Sequence, residues 1–491
     1  MASNAYDVLV LGSGFGGSLL SAILAKSGMS VAMVDRARHP RFAIGESSTP
    51  LADSALAQIA KDYDLPELMP LTKYGSWKRS HPELTCGLKR GFSYFGHRRG
   101  QPFDASDQLV VAASASDEVS DTQWLRSDVD QFLFQLANQV GADSYEGVDY
   151  HLETEQAGWR LTGVGETSPL SLHAEFVVDA TGPAGVVLET LGIADQTHEL
   201  KTRSQAVFGH FAGVRTVADM LVERGVDCDR HPFSCDAAAV HHVLDDGWMW
   251  QLRFDDGTVS CGHMLPALGD GEMLNPRQVW DERLATYPFL HRQFSGATLV
   301  RPSGGLQATG RLQRLTSVAA GRNWAALPST AGFIDPLHST GIAHTLFGVR
   351  RIAAAMLGEN RLRQQRLQVY SQAVIDELKF IDQLVEGCYA GLPHFRLWSA
   401  WCMLYFAAVT SQEHASDPAE VSSFLGVDDV EFGRMLIMAR QKLQATLDGD
   451  PGPEELASFE SWLRDALQPW NRVGLLSPEA AGMYASTAAP I

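Results

Sequence analysis

Positive charge is in short supply in this chain. Its 491 residues hold 39 lysines and arginines against 58 aspartates and glutamates, a formal net charge of −19. A phosphate backbone would be repelled by such a surface, so nucleic acid is not an expected partner. Long apolar runs are missing too. The densest late one, residues 400–409, falls short of the roughly 20 residues that span a bilayer. The first six residues carry no basic cluster, and the first apolar run is too short for a secretory signal core. The expectation is a cytoplasmic protein with no membrane partner. Cysteine is sparse: Cys86, Cys228, Cys235, Cys261, Cys388 and Cys402 make no C-x-x-C pair. A chain this long needs no disulfide staples, so reduced thiols and no metal are expected. Cys228-Asp229-Arg230-His231 with Cys235 matches no common zinc spacing and reads as small core residues beside a loop histidine. No internal repeat stands out. An apolar fraction of 45% and a charged fraction of 20% fit a soluble globular protein of two or three domains, or one large composite.

What is present is concentrated near the start. An apolar run, Val8-Leu9-Val10-Leu11, turns at Gly12-Ser13-Gly14-Phe15-Gly16-Gly17 into a small-residue helical stretch, residues 18–27. A second apolar run, Val31-Ala32-Met33-Val34, ends in Asp35. Gly12, Gly14 and Gly17 give G-x-G-x-x-G. The first allows the tight turn, the second lets backbone approach a pyrophosphate, and the third packs helix on strand. The helix N-terminus then points at the phosphates, and Asp35 falls where an acid grips a ribose hydroxyl. A glycine-rich packing turn with no ligand is the plain alternative, and the strand, helix and acid in their places argue against it.

Farther along, Ile44-Gly45-Glu46-Ser47-Ser48-Thr49-Pro50 is a loop of small residues that also reads as a helix cap, Ser48 or Thr49 leading into residues 51–60. Residues 71–112 read as loop-rich and aromatic, with strand alternation after Gly91. A helix is expected to residue 139, capped by Ser127 or Asp128. Phe176-Val177-Val178-Asp179 reads as a buried strand meeting a glycine turn. Residues 207–214, 247–254 and 259–265 read as strands with turns such as Asp255-Asp256-Gly257. Residues 323–327 give a strand, 332–341 a loop and 342–356 a helix, which leaves Ser339-Thr340-Gly341 at a helix N-terminus able to hold an anion. From residue 366 the pattern is helical, with Trp398, Trp401 and Tyr405 read as core and Asp450-Pro451-Gly452-Pro453 as a break before a helix over 454–467. No second G-x-G-x-x-G follows a strand, so no nicotinamide domain is expected.

Four stretches together resemble the flavin-dependent halogenases. They are the glycine turn; Lys89 in Gly87-Leu88-Lys89-Arg90-Gly91-Phe92; Gly247-Trp248-Met249-Trp250; and Gly332-Phe333-Ile334-Asp335-Pro336-Leu337-His338-Ser339-Thr340-Gly341. The likeness covers residues 1 to about 360. Ile381-Asp382-Gln383-Leu384 and His394-Phe395-Arg396-Leu397-Trp398 are similar to the phenol-halogenating branch. Three positions depart from the pattern. Leu252-Arg253 replaces Ile-Pro of the tryptophan signature, Pro328-Ser329 replaces a Gly-Asp pair, and His338 stands where tryptophan halogenases place a glutamate. The last makes tryptophan an unexpected substrate.

The resemblance implies an α/β fold: a Rossmann-type FAD-binding domain of the aromatic-hydroxylase-like monooxygenase plan. Residues 1–365 would form it, interleaved with a substrate-side β-sheet inserted at about 70–120 and 200–310, and residues 366–491 would form a helical C-terminal region. It implies FAD, used as FADH2, held by Gly12, Gly14, Phe15, Gly17, Asp35, Ile44, Glu46, Ser47, Arg126, Asp335 and Pro336. Halide would sit at Thr340 and Gly341, and Trp248 and Trp250 would wall the flavin from the substrate. Reduced FAD, dioxygen and chloride or bromide would give hypohalous acid, which halogenates an electron-rich aromatic, expected to be phenolic. Lys89 would hold or relay that oxidant, since an amine offers both a hydrogen-bond donor and a haloamine, and burial lowers its pKa. Without the resemblance Lys89 reads as a surface lysine beside Arg90. His338 would act as general base or, equally, cap a helix. A separate flavin reductase is the implied partner. An aromatic hydroxylase, a geranylgeranyl-reductase-like flavoenzyme and a non-catalytic flavin-binding relative remain open at this point.

Overall fold

The computed structural model describes residues 4–156, 158–165, 169–267, 269, 274–414, 423–449, 451–485 and 487. The first apolar run forms the strand Asn4–Leu11, which pairs in parallel with Val31–Asp35 on one side and Pro169–Asp179 on the other. Val8 lies opposite both Val31 and Phe176. Residues 8–11 are buried completely, as a parallel strand covered on both faces must be. Asp143–Glu146 extends this sheet beyond Val31–Asp35, and Trp324–Ala326 pairs with the end of Pro169–Asp179. The antiparallel strands Gly158–Val164 and Asp149–Glu155 bring it to seven. The helices Phe15–Lys26, Arg126–Gln139 and Thr340–Leu357 cover it.

A second sheet has nine strands. Its order runs Thr298–Arg301, Ser204–Ala212, Thr258–Pro266, Gly247–Arg253, Ala239–Leu244, Gly91–Gly96, Gln108–Ala112 and Met483–Tyr484, with Gln307–Ala308 also on Ser204–Ala212. The turn at Asp255-Asp256-Gly257 joins two of these strands, and Gly257 takes φ +81° there. Register sets Trp250 against His241 on one neighbour and Gly262 on the other. A Cβ on Gly262 would overlap the Trp250 ring at 2.1 Å, so the indole lies flat over a glycine.

Two expectations fail here. Residues 71–112 are not loop-rich: they contain the helix Tyr74–Ser80 and the strands Cys86–Lys89, Gly91–Gly96 and Gln108–Ala112. Aromatic content and glycines hid the alternation, because both faces of Gly91–Gly96 are buried. Neither Ser127 nor Asp128 caps the helix to Gln139; that helix begins at Arg126 after Leu125, with no side-chain cap. By contrast Thr49 caps Pro50–Asp62, accepting from Ala52 N.

The long helix Asn360–Gly391 folds back on Phe395–Glu413. Gly387 supplies the notch for Trp401, since a Cβ there would lie 2.0 Å from the indole, and Trp401 Nε1 donates to the Leu384 carbonyl at 2.7 Å. Trp398, Trp401 and Tyr405 are core. Of the expected break over Asp450-Pro451-Gly452-Pro453, Asp450 lies outside the described residues; the helix before it ends at Asp448 and the one after it spans Pro453–Ala466. Glu377 clamps the hairpin to Thr340–Leu357. It accepts two hydrogen bonds from Arg351 at 2.9 and 2.7 Å and one from Phe424 N at 2.8 Å, and lies 3.0 Å from His344 Nε2. No described helix is long and apolar enough to cross a membrane.

Candidate active site

A cavity of about 660 Å³ opens between the two sheets, within the range of small-molecule sites. Gly12, Gly14, Phe15, Gly17, Asp35, Ile44, Glu46, Ser47, Arg126, Asp335, Pro336, Thr340, Gly341, Trp248 and Trp250 all line it. Lys89 and His338 do not.

Each glycine of the turn has its own reason. Gly12 takes φ +97°, and a Cβ there would meet the Ala180 carbonyl at 2.4 Å. A Cβ on Gly17 would meet the Gly12 carbonyl at 2.1 Å. Gly14 is different: the nearest atoms to its Cβ position are 3.7 Å away, so the position is kept bare for something other than protein. The helix Phe15–Lys26 has no side-chain cap, and its first N–H groups face this space. Asp35 accepts from Ser13 N at 2.7 Å, Ser13 Oγ at 2.8 Å and Ala37 N at 2.8 Å, and pairs with Arg41 at 3.1 Å. Burial works against its charge, but Arg41 and these donors hold the carboxyl below its usual range. Arg126 is locked by a two-point ion pair to Asp130 and donates to the carbonyls of Ile44 and Gly45, fixing the loop before Glu46. These residues fit a dinucleotide: bare backbone for a pyrophosphate, free N–H donors, and an ionised acid one strand away.

At the other end, Asp335 is fully buried and accepts from Tyr389 at 2.8 Å, Ser204 Oγ at 2.9 Å and Leu337 N at 3.1 Å. Burial outweighs these donors and pushes its pKa up to about 7. Tyr389 also accepts from Trp248 Nε1 at 3.2 Å, which ties the indole wall to the loop. Ser339 takes φ +53° ahead of the helix Thr340–Leu357, with no side-chain cap, and a Cβ on Gly341 would meet nothing within 4 Å. The departures from the family pattern are accounted for locally. Arg253 pairs with Asp236 at 3.0 Å and donates to the carbonyls of Val214 and Arg215, while Pro328 packs on Gly348.

Lys89 is not a surface residue. It is completely buried, donates to the Ser48 carbonyl and lies 4.2 Å over the Phe92 ring. Burial lowers its pKa to about 8 against the pull of Asp121, Asp53 and Glu413. Its contact with Ser48 joins it to the loop whose Glu46 and Ser47 line the cavity. Phe92 stacks with Tyr94, Tyr94 touches His241 at 4.7 Å, and His241 lines the cavity beside Trp248. His338 stacks on Tyr405 at 4.3 Å, and burial lowers its pKa to about 3. It does not cap the helix, where Ser339 is the cap residue. A ring that weakly basic is also a poor match for general-base work near neutral pH.

Sequence reasoning missed Ser204, Tyr389, His241, Asp53, Asp121 and Glu413. Each reaches the site from a separate element, and no local spacing marks it.

The parallel sheet, glycine turn and terminal acid define a dinucleotide-binding enzyme of the flavoprotein kind. Comparison with known proteins narrows this: the chain belongs to the tryptophan halogenase family, whose model matches residues 123–392. It is 28% identical over 425 residues to monodechloroaminopyrrolnitrin halogenase PrnC of Pseudomonas fluorescens, covering 82% of this chain and 71% of that one. It is also 28% identical over 423 residues to tetracycline 7-halogenase of Kitasatospora aureofaciens, covering 82% and 73%. Halogenase PltM, solved with phloroglucinol and FAD, superposes with a TM-score of 0.86 at 23% identity over 98% of this chain and 100% of that one. The protein is a flavin-dependent halogenase, and its cofactor is FAD.

Proposed function

We propose that this enzyme chlorinates or brominates a phenolic aromatic with hypohalous acid that is relayed past Lys89, drawing FADH2 from a separate reductase. The phenolic class is supported by the phloroglucinol named with PltM and by His338 standing where tryptophan halogenases carry a glutamate. A separate reductase is supported by the lack of a second dinucleotide fingerprint in the sequence. In this reading residues 1–365 form the flavin-binding unit with its inserted sheet, and residues 366–491 the helical region that closes it.

Bound reduced FAD, with dioxygen, supplies the two-electron oxidation of halide. The residues around it do the rest. Gly14, Phe15 and Gly17 take the pyrophosphate on backbone, with Gly12, whose N–H is held by the Val34 carbonyl, making the turn that brings it close, and Asp35 takes a ribose hydroxyl. The free N–H groups at Thr340 and Gly341 hold the halide. Trp248 and Trp250 keep the aromatic substrate off the flavin and exclude water. Lys89, neutral above about pH 8, accepts the halogen at Nζ or hydrogen-bonds the oxidant and presents it to the ring. The observation that carries this reading is the sealed lysine: an amine with a lowered pKa, outside the flavin cavity, bonded to the loop that lines it.

The test is an assay with FAD, a generic flavin reductase, chloride or bromide, and a panel of phenols, pyrroles and indoles read by mass spectrometry. Halide-dependent mass gain on phenols is expected. Oxygen insertion without halide, or preference for indoles, would refute the reading.

A further inference from the structure

The helical hairpin carries two of the six cysteines into contact. Cys388 on Asn360–Gly391 and Cys402 on Phe395–Glu413 are both completely buried. Their sulfurs and His338 Nε2 lie within 4.8 Å of one another, with Cys388 Sγ 3.8 Å from His338. Cys402 faces the Tyr94 hydroxyl. The pair therefore stands between the loop that leads into Thr340 and the Phe92–Lys89 contact. Two buried polar atoms near it, Trp398 Nε1 and His338 Nδ1, have no hydrogen-bond partner. Native interiors leave few such atoms.

We propose that Cys388 and Cys402 are an internal trap for hypohalous acid that fails to reach substrate, closing reversibly to a disulfide. The inference rests on the reading that hypohalous acid forms at Thr340 and Gly341, two residues beyond His338 in the chain. In the first step one thiol sulfur takes the halogen: an S–X bond forms, the S–H and O–X bonds break, and the thiol proton leaves on the hydroxide as water. In the second step the other sulfur displaces halide: the S–S bond forms, S–X breaks, and the second thiol proton leaves with the halide. The sulfurs together lose two electrons and the halogen gains two. The bond needs the sulfurs at about 2 Å, which a swing of both side chains across the hairpin must provide. Burial raises the Cys388 thiol well above its usual range, which disfavours the thiolate that attacks peroxide. A halogen electrophile carries its own proton acceptor and reacts with the neutral thiol.

The experiment runs the holoenzyme with reductase, dioxygen and bromide but no aromatic substrate, with a soluble bromination dye in the buffer. Thiols are then alkylated under denaturing conditions and peptides weighed. The expected result is a Cys388–Cys402 cross-link, reversed by dithiothreitol, while Cys228, which is half-exposed, is still alkylated. Reagent hypobromous acid added from outside should reverse that order and take Cys228 first. Without bromide, where only peroxide forms, all six cysteines should remain alkylatable. Cys402→Ser should abolish the cross-link and raise dye bromination, with phenol halogenation retained. Dye bromination with a fully reduced pair overturns the trap alone. No bromination of dye or phenol overturns the halogenase chemistry and the trap with it. Stoichiometric zinc in the purified enzyme that blocks both thiols also overturns the trap, making the trio a metal centre.

Discussion

The flavin groove and the pocket around Lys89 face each other across one loop, yet they are built by opposite means. In the groove the chain is local: turn, helix, strand and acid fall within residues 12–35, and the acid's donors Ser13 and Ala37 belong to the same unit. Around Lys89 the groups come from far apart. Asp53 lies on Pro50–Asp62, Lys73 follows it, Asp121 pairs with Lys89 across two short strands, and Glu413 ends the second hairpin helix. Asp121 is completely buried beside Asp53, and Lys73 Nζ lies 3.5 Å from Asp53. Burial, then the neighbouring Asp121, raise Asp53 and Glu413 well above the carboxylate range. The groove is thus a preformed mould for a ligand, whereas the lysine pocket is a charge balance in a low-dielectric interior, which is how proteins tune a reactive group.

If that division is right, the two regions come apart under mutation. Lys89→Ala should cost the most: product formation falls by roughly 10²–10⁴-fold, the range for losing a group that handles a proton or electrophile in the reaction. Flavin affinity and peroxide release should not change, because the groove is elsewhere. Lys89→Arg should fail as well, since a guanidinium stays protonated. Gly14→Val is the converse. Its Cβ is open to the cavity, so the fold should survive, with FAD affinity down on the order of 10²-fold, equivalent to about 2.7 kcal/mol. Fluorescence titration of FAD against both variants checks the pair. A Lys89→Ala protein that lost FAD would join the two regions into one.

Tyr389→Phe probes the seam. It removes a donor to Asp335 and the acceptor of Trp248, a loss of about 1–3 kcal/mol for buried partners. Asp335 is raised to about 7 in the fold, so the native state binds more protons than the unfolded chain between about pH 4 and 7. Its contribution to stability is full below that window and lost as pH rises through 7. Losing Tyr389 should raise Asp335 further and steepen the loss, seen as a melting temperature that falls more over that window than in the wild type.

The same contrast decides what the sequence could show. Gly12, Gly14, Gly17 and Asp35 were legible because their geometry is a property of thirty consecutive residues. Three strands of the second sheet were legible from their apolar runs and the turn between two of them, but not their register, because both faces of these strands are buried. Lys89 was visible through family likeness alone; on composition it is a lysine beside an arginine, and its burial depends on strands and helices that no local pattern joins. Tyr389 and Ser204, 185 residues apart in the chain, meet at Asp335. Cys388 and Cys402 meet because Gly387 admits Trp401 and fixes the hairpin, a signal readable only once the two helices are known to be partners.

The smallest expected effect is the most direct test of the charge balance. Among the charges that raise Lys89, Asp121 comes first, against the larger opposing effect of burial. If the neutral amine is the working form, the wild-type halogenation rate should climb with pH through about 8 and level off above it. Asp121→Asn keeps the shape of the side chain and removes its charge, so the inflection should move to lower pH by on the order of one unit. Stability must move in step. An unfolded lysine titrates near 10.4, so between about pH 8 and that value the unfolded chain binds more protons than the fold, and wild-type stability gains from Lys89 as pH rises. With the native pKa lowered further, the gain in Asp121→Asn should begin at a lower pH. FAD affinity should show neither shift, because the acid in the groove is already ionised far below this window. A rate profile that moves upward, or moves together with FAD affinity, would mean that Lys89 answers to the flavin groove and not to the carboxylates packed around it.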